Sequence, residues 1–75
     1  MGQISNKGSL SKVAGVNLKK QIARAGYTQE EFAEKIGVDV RTIRRWIRSF
    51  PGLDQLQECI KVLGVPVTEF FDATS

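Results

Sequence analysis

The sequence contains no histidine and only one cysteine among its 75 residues. One cysteine cannot form an internal disulfide, and zinc sites built from cysteine and histidine need ligands that this chain lacks. Histidine is also the side chain that titrates closest to neutral pH, so the commonest general acid or base is missing. Because no nucleophile stands beside a base and no glycine-rich phosphate loop is present, we expect no enzyme activity, no cofactor and no metal site.

Long apolar stretches are absent as well. No uninterrupted run approaches the roughly 20 residues that a transmembrane helix needs, and residues 1–13 lack the apolar region of a signal peptide. With 41% hydrophobic and 25% charged residues, the chain is nevertheless too apolar for intrinsic disorder. We therefore expect one small cytoplasmic domain, and this length favours a binding module over a deep catalytic cleft.

The charged residues are unevenly distributed along the chain. The formal net charge is +3, from 11 basic and 8 acidic side chains. Residues 1–27 and 40–50 contain basic residues and no acid, whereas from residue 51 onward acids outnumber the single lysine. This distribution indicates one side that faces a polyanion, although a solvated charged surface would give the same sum.

The first 13 residues are rich in glycine, serine and lysine and show little apolar periodicity. Residues 1–13 are therefore predicted to form a flexible arm, and residues 14–72 a folded domain. No alternating pattern of strand length occurs in the chain, so the predicted fold class is all-α with five helices.

The helix boundaries follow from apolar spacing and from start and stop residues. Thr28 and Glu31 have the spacing of a capping box, and Tyr27 with Phe32 that of a hydrophobic staple. Asp39 is the expected N-cap of the following helix. Glycines end several of the predicted segments, and Pro66 suits the start of the last one. The predicted helices are helix 1 over 14–25, helix 2 from 29 to 35 or 36, helix 3 over 40–48, helix 4 over 53–63 and helix 5 over 67–71.

Helices 2 and 3 are joined by the short turn Gly37-Val38-Asp39. Two helices connected by so short a turn containing glycine cross steeply, as in a helix-turn-helix, whose second helix can enter the DNA major groove. Many short turns between helices have no connection with DNA, so the prediction of DNA binding depends on the residues of helix 3.

Helix 3 is amphipathic in an unusual way. At 100° per residue, Ile43, Trp46 and Ile47 share one face, while four arginines share the opposite face or its flank. Arginines on a surface usually form ion pairs, yet helix 3 has no acid of its own apart from Asp39 at its cap. A nucleic acid would relieve the repulsion, and the planar fork of arginine matches O6 and N7 of guanine. The four cations are Arg41, Arg44, Arg45 and Arg48.

Several segments together resemble the phage-repressor and Cro-like helix-turn-helix family of bacterial regulators, also called the xenobiotic-response-element type. They are TQEEFAEKIGV at residues 28–38, Thr42 with Ile43, Trp46, and Leu63-Gly64-Val65. The resemblance covers about residues 14–72. It implies a five-helix, lambda-repressor-like domain that binds double-stranded DNA and commonly acts as a dimer on palindromic operators.

The resemblance also implies roles for single residues. Base reading is implied for Val40, Arg41, Arg44 and Arg45 at the front of helix 3. Phosphate contacts are implied for Gln29 and Thr28 at the start of helix 2, for Thr42, and for Arg48 with the loop that follows it. Ile22 stands where many members have an arginine, so Lys19 and Lys20 are expected to take over its phosphate contact.

These observations predict a sequence-specific transcriptional regulator, with repression as the expected activity. Two alternatives remain: a protein-interaction module such as an antitoxin or anti-repressor, and the DNA-binding domain of a longer regulator. The adjacent Phe70 and Phe71 are a candidate surface for a homodimer, unless one of them is buried and the other simply exposed.

Overall fold

The computed structural model describes residues 6–71, with side chains described from residue 10 onward. The prediction of an all-α fold is confirmed for these residues, which contain no strand. The elements are α1 Asn6–Arg24, α2 Gln29–Ile36, α3 Val40–Arg48, α4 Leu53–Leu63 and a short 3-10 helix, Val67–Phe70. None of the helices within 6–71 combines the length and the hydrophobicity needed to cross a lipid bilayer.

The predicted number of five α-helices is wrong, because residues 6–71 form four. The last predicted helix is a single 3-10 turn, in which the Glu69 amide donates to the Pro66 carbonyl at 3.0 Å. The Phe71 amide likewise donates to the Thr68 carbonyl at 3.1 Å. Such i to i+3 bonds are typical of segments too short to establish an α-helix.

Helix α1 begins at Asn6, well before the predicted start at residue 14. Residues 6–13, which were predicted to belong to a flexible arm, are therefore helical. Residues 1–5 of the predicted arm and residue 72 of the predicted domain lie outside the described residues. One cause is tertiary: the Ser11 carbonyl accepts a hydrogen bond from the Phe50 amide at 3.2 Å, which ties this part of α1 to the loop after α3. Apolar periodicity within the segment does not reveal such a contact.

The predicted start and end of α2 are confirmed. Thr28 Oγ1 accepts from the Glu31 amide at 3.0 Å, and Glu31 Oε1 accepts from the Thr28 amide at 2.8 Å. Gly37 ends the helix with φ at +93°, a conformation that side chains with a Cβ rarely adopt. This glycine lets the chain turn sharply between α2 and α3.

The core lies where α1, α2, α3 and α4 meet, and it contains a line of aromatic contacts. Trp46 packs edge-on against Phe50 at 5.9 Å between ring centroids, and Phe50 lies 6.0 Å from Phe70. Both Trp46 and Phe50 are therefore structural, as expected for Trp46 from its face of the helix. The buried apolar residues are Ala14, Leu18, Ile22, Phe32, Ala33, Ile43, Trp46, Phe50, Leu56, Cys59 and Phe70.

The 3-10 helix is fastened to α1 by polar side chains. Buried Asn17 donates from Nδ2 to the Phe70 carbonyl at 2.9 Å. Gln21 Nε2 lies 3.4 Å from Glu69 Oε1. Phe70 is fully buried at this contact, so the prediction that it lies on a dimer surface is wrong, whereas Phe71 is 41% exposed.

Candidate nucleic-acid interface

Helix α3 has one face in the core and one face in solvent. Ile43 is fully buried, and Trp46 is 8% exposed. The four arginines are all exposed on the other side of the helix. Burial of the apolar face fixes the helix to the rest of the domain, so its cationic face points outward.

The exposed face of α3 forms a shallow depression of about 480 Å³. Its lining consists of all four arginines of α3, namely Arg41, Arg44, Arg45 and Arg48. Cations gathered around one concavity raise the local positive potential and attract polyanions. The structure thus brings together the four side chains that the helical spacing placed on one side.

Two of these arginines have a carboxylate of the same chain nearby. Arg41 Nε lies 3.7 Å from Asp39 Oδ2, and Arg44 Nη2 lies 3.7 Å from Glu30 Oε2 on α2. The two arginines and the two acids of these pairs are each more than half exposed. Exposed ion pairs contribute only about 0–1 kcal/mol. Within residues 6–71, Arg45 forms no ion pair. The cationic face is therefore only partly compensated.

Asp39 precedes α3 as the expected N-cap residue, but its side chain accepts no hydrogen bond from the helix amides. The α3 start relies instead on backbone bonds, among them the Thr42 amide donating to the Asp39 carbonyl at 2.9 Å. The Asp39 carboxylate is consequently available to Arg41.

The start of α2 has the donors that suit a phosphate. A helix N-terminus presents unpaired amides and the positive end of the helix dipole. Gln29 is half-buried at the first helical position. Thr28 is exposed, and its Oγ1 already accepts the capping bond, yet a hydroxyl keeps one proton to donate. Glu30 and Glu31 add negative charge to the same turn, which reduces its attraction for a phosphate.

The remaining sequence-predicted residues are placed less directly. Val40 is half-buried and packs against the core, so only part of its side chain faces outward. Thr42 is also half-buried. On α1, Lys19 is exposed, whereas Lys20 is half-buried and interacts with another group of the protein. The lining of the arginine depression includes none of these four residues.

A model of the helix-turn-helix family matches residues 18–70, which is most of the chain. The chain belongs to the Cro/C1-type helix-turn-helix family. This family consists of DNA-binding regulators of transcription, and the match includes both α2 and α3. A search of curated proteins found no match.

Gly15 on α1 is a residue that the sequence analysis missed. A Cβ built on Gly15 would lie 2.2 Å from the Ile47 carbonyl oxygen and 2.9 Å from that of Trp46. The absence of a side chain lets α1 approach the backbone of α3 directly, which fixes the position of the arginine-bearing helix. A lone glycine inside an otherwise helical pattern was the available signal, since it often marks a close approach.

Proposed function

We propose that the chain is a sequence-specific regulator that inserts α3 into the major groove of double-stranded DNA. The observation that carries this proposal is the exposed depression formed by the four arginines of α3. An α-helix fits the major groove, which is about 12 Å wide, and arginine is the commonest reader of guanine there. The exposed ion pairs at Arg41 and Arg44 contribute only about 0–1 kcal/mol each, so they oppose contacts with DNA only weakly.

The proposed contacts divide into two groups. Arg41, Arg44 and Arg45 read base edges, and the outward part of Val40 contacts a thymine methyl group. The phosphate group of contacts sets the register of the protein on the duplex without reading sequence. Its members are Gln29, Thr28, Thr42, Arg48, Lys19 and Lys20.

Selection from random duplex DNA at two salt concentrations tests sequence reading, because bulk electrostatic binding weakens steeply with salt. On the selected site, Arg45→Ala is expected to cost about 1–3 kcal/mol and to relax the preference at one base pair. Lys19→Ala is the matched control, since it removes one exposed cation from α1. It is expected to weaken binding to all sequences alike and to lower the salt slope by about one. Equal losses on selected and random DNA for both variants would contradict this division.

We further propose that two copies bind a palindromic operator. A single module of this kind covers roughly 600–1,000 Å² on DNA, which is modest for tight binding, and dimers engage half-sites about one helical turn apart. The surface that suits a second copy is an apolar groove of about 190 Å³ near the end of the 3-10 helix. Its rim includes Leu10, Leu53 and Phe71, which are 55%, 70% and 41% exposed.

Sedimentation over a concentration series tests the dimer. The wild-type mass is expected to rise toward that of two chains, and Phe71→Ser is expected to keep the monomer mass while the domain stays folded. A single monomer mass up to millimolar wild-type protein would rule out this dimer.

The proposed regulatory effect is repression. A protein bound across a promoter excludes other proteins from the same DNA, so a reporter with the selected site inside its promoter is expected to lose expression. The matched control is the same promoter with the base pair read by Arg45 replaced. Equal expression from both promoters, or activation by the selected site, would contradict repression.

A further inference from the structure

The ion pairs at Arg41 and Arg44 use different nitrogens of the guanidinium group. Asp39 Oδ2 lies 3.7 Å from Nε of Arg41, the nitrogen nearest the side-chain stem. Glu30 Oε2 lies 3.7 Å from Nη2 of Arg44, which is a terminal nitrogen. The carboxylate therefore faces the stem side of the guanidinium in Arg41 and its terminal edge in Arg44, in both cases as an ion pair beyond hydrogen-bond range.

Guanine is read by two parallel hydrogen bonds from one edge of the arginine fork to O6 and N7. An arginine held at Nε can present its two terminal nitrogens to guanine while the carboxylate stays in place. An arginine whose terminal edge faces a carboxylate has to share that edge between the carboxylate and the base. The difference between the two pairs assigns different roles to the two acids.

We propose that Asp39 is a positioning residue for base recognition: it orients Arg41 through Nε so that the terminal nitrogens read one guanine. This inference rests on the proposed function. Asp39 is free for this task because its side chain does not cap α3, although it stands at the N-cap position.

Orientation matters because Arg41 is very exposed, with 84% of its side chain accessible. Immobilising such a side chain at an interface is costly, and a neighbour that restricts it beforehand reduces that cost. Closure of the DNA over the pair also removes water, which strengthens the attraction between Asp39 and Arg41 in the complex. Orienting Arg41 beforehand improves the affinity for random DNA less, because a contact with a phosphate does not require a fixed orientation of the guanidinium group.

The test compares Asp39→Asn with Glu30→Gln on the selected duplex and on random duplex DNA. Each variant removes one carboxylate, so the two alter the net charge equally. The Asp39 side chain forms no cap bond that could be lost, and asparagine ranks with aspartate at the N-cap position, so the α3 start is preserved. Thermal unfolding of both variants checks that the fold is retained.

The base pair that Arg41 reads is first identified as the position whose preference disappears in Arg41→Ala. At that position, Asp39→Asn is expected to reduce the preference about 2–10-fold, in line with the cost of ordering one long side chain. Binding to random DNA is expected to stay equal or to become tighter, since a negative charge has been removed. Glu30→Gln is expected to leave the preference at that position unchanged.

The double variant Asp39→Asn with Arg41→Ala isolates the coupling. It is expected to show the same preference at that position as Arg41→Ala alone, because Asp39 acts through Arg41. A merely structural role of Asp39 would instead weaken all sequences alike and would persist without Arg41.

Three outcomes would overturn the inference. The first is that Asp39→Asn shifts no base preference, or shifts all positions in the same way as Glu30→Gln. The second is that Arg41→Ala relaxes no position while Arg45→Ala still does, in which case the proposed function stands without this role of Asp39. The third is that the wild-type protein selects no sequence at all, which removes the proposed function together with the inference.

Discussion

Replacing Gly15 by alanine tests whether the contact between α1 and α3 controls the stability of the domain. In an exposed helix interior this exchange stabilises by about 1 kcal/mol, because alanine is the better helix former. At Gly15 the new Cβ would lie 2.2 Å from the Ile47 carbonyl oxygen and 2.8 Å from the Ile47 carbonyl carbon. Ordinary contacts between carbon and a carbonyl oxygen are about 3.3–3.6 Å, so the two helices must separate by roughly 1 Å.

The obstacle is backbone and not a flexible side chain, so no rotamer change can relieve it. Overpacking of this kind costs about 1–3 kcal/mol and more where backbone has to move, which outweighs the gain in helix propensity. The expected net loss of about 1–2 kcal/mol corresponds to a fall in Tm of roughly 4–16 °C for a domain of this size. The same displacement moves α3 and is expected to weaken DNA binding.

Urea unfolding followed by circular dichroism measures the loss. The matched control is Ala23→Gly on the exposed side of the same helix, which exchanges the two residue types in the opposite direction. That variant is expected to lose at most about 1 kcal/mol through propensity alone, since Ala23 lies in the last turn of α1. Both exchanges should therefore destabilise the protein. Stabilisation by Gly15→Ala of about 1 kcal/mol would refute the close-approach argument.

Three further predictions concern single side chains. Thr28→Ala is expected to lower the free energy of unfolding by about 1 kcal/mol through loss of the capping bond, and Thr28→Ser to retain it; equal losses would contradict the cap. Burial raises the pKa of the Cys59 thiol from 9.0 to about 12, with a smaller contribution from Glu58. The folded state therefore disfavours the thiolate, so the stability gained by burying the neutral thiol is complete below pH 9 and is lost as the pH rises towards 12. Unchanged stability between pH 9 and 12, or labelling of the folded protein at the rate of a free thiol, would contradict this prediction. Glu30→Gln is expected to release Arg44 and so to tighten binding to random DNA about 2–5-fold, as measured by fluorescence anisotropy. Glu34→Gln is the control, and an equal gain in both variants would contradict the role of the Arg44–Glu30 pair.

The sequence was sufficient for the part of the fold governed by contacts between near neighbours. The capping box of Thr28 with Glu31 joins residues three apart, and the observed hydrogen bonds confirm it. The bounds predicted for α2, α3 and α4 also agree with the structure, although the Asp39 side chain, the expected cap of α3, accepts no hydrogen bond from the helix amides. Signals of this kind lie within one helical turn, so they can be recognised without knowing how the helices pack.

The features that sequence reasoning missed depend on pairs far apart in the chain. The first turns of α1 are held by Ser11 bonding to Phe50, and Phe70 is fixed by Asn17. Neither hydrogen bond can be predicted from the residues near it in the sequence. Phe70 and Phe71 are adjacent and chemically identical, so only the packing of the 3-10 helix decides which one is buried.

The same reasoning applies to the arginines of α3. The helical spacing placed them on one side or its flank, but the only acid it offered them as a neighbour was the one at the cap of helix 3. The acid at position 30 becomes a neighbour of Arg44 only because α2 crosses α3. Arg45 and Arg48 lie in the last turn, where the negative end of the helix dipole stabilises cations. The first two arginines thus each have a carboxylate nearby, whereas the last two lie at the negative end of the helix dipole. The two halves of α3 should therefore respond differently to removal of an acid. This expectation would be contradicted if a variant of Asp39 or Glu30 changed the contribution of Arg45 or Arg48 to DNA binding as strongly as that of its own arginine partner. The four arginines would then act through their total charge alone.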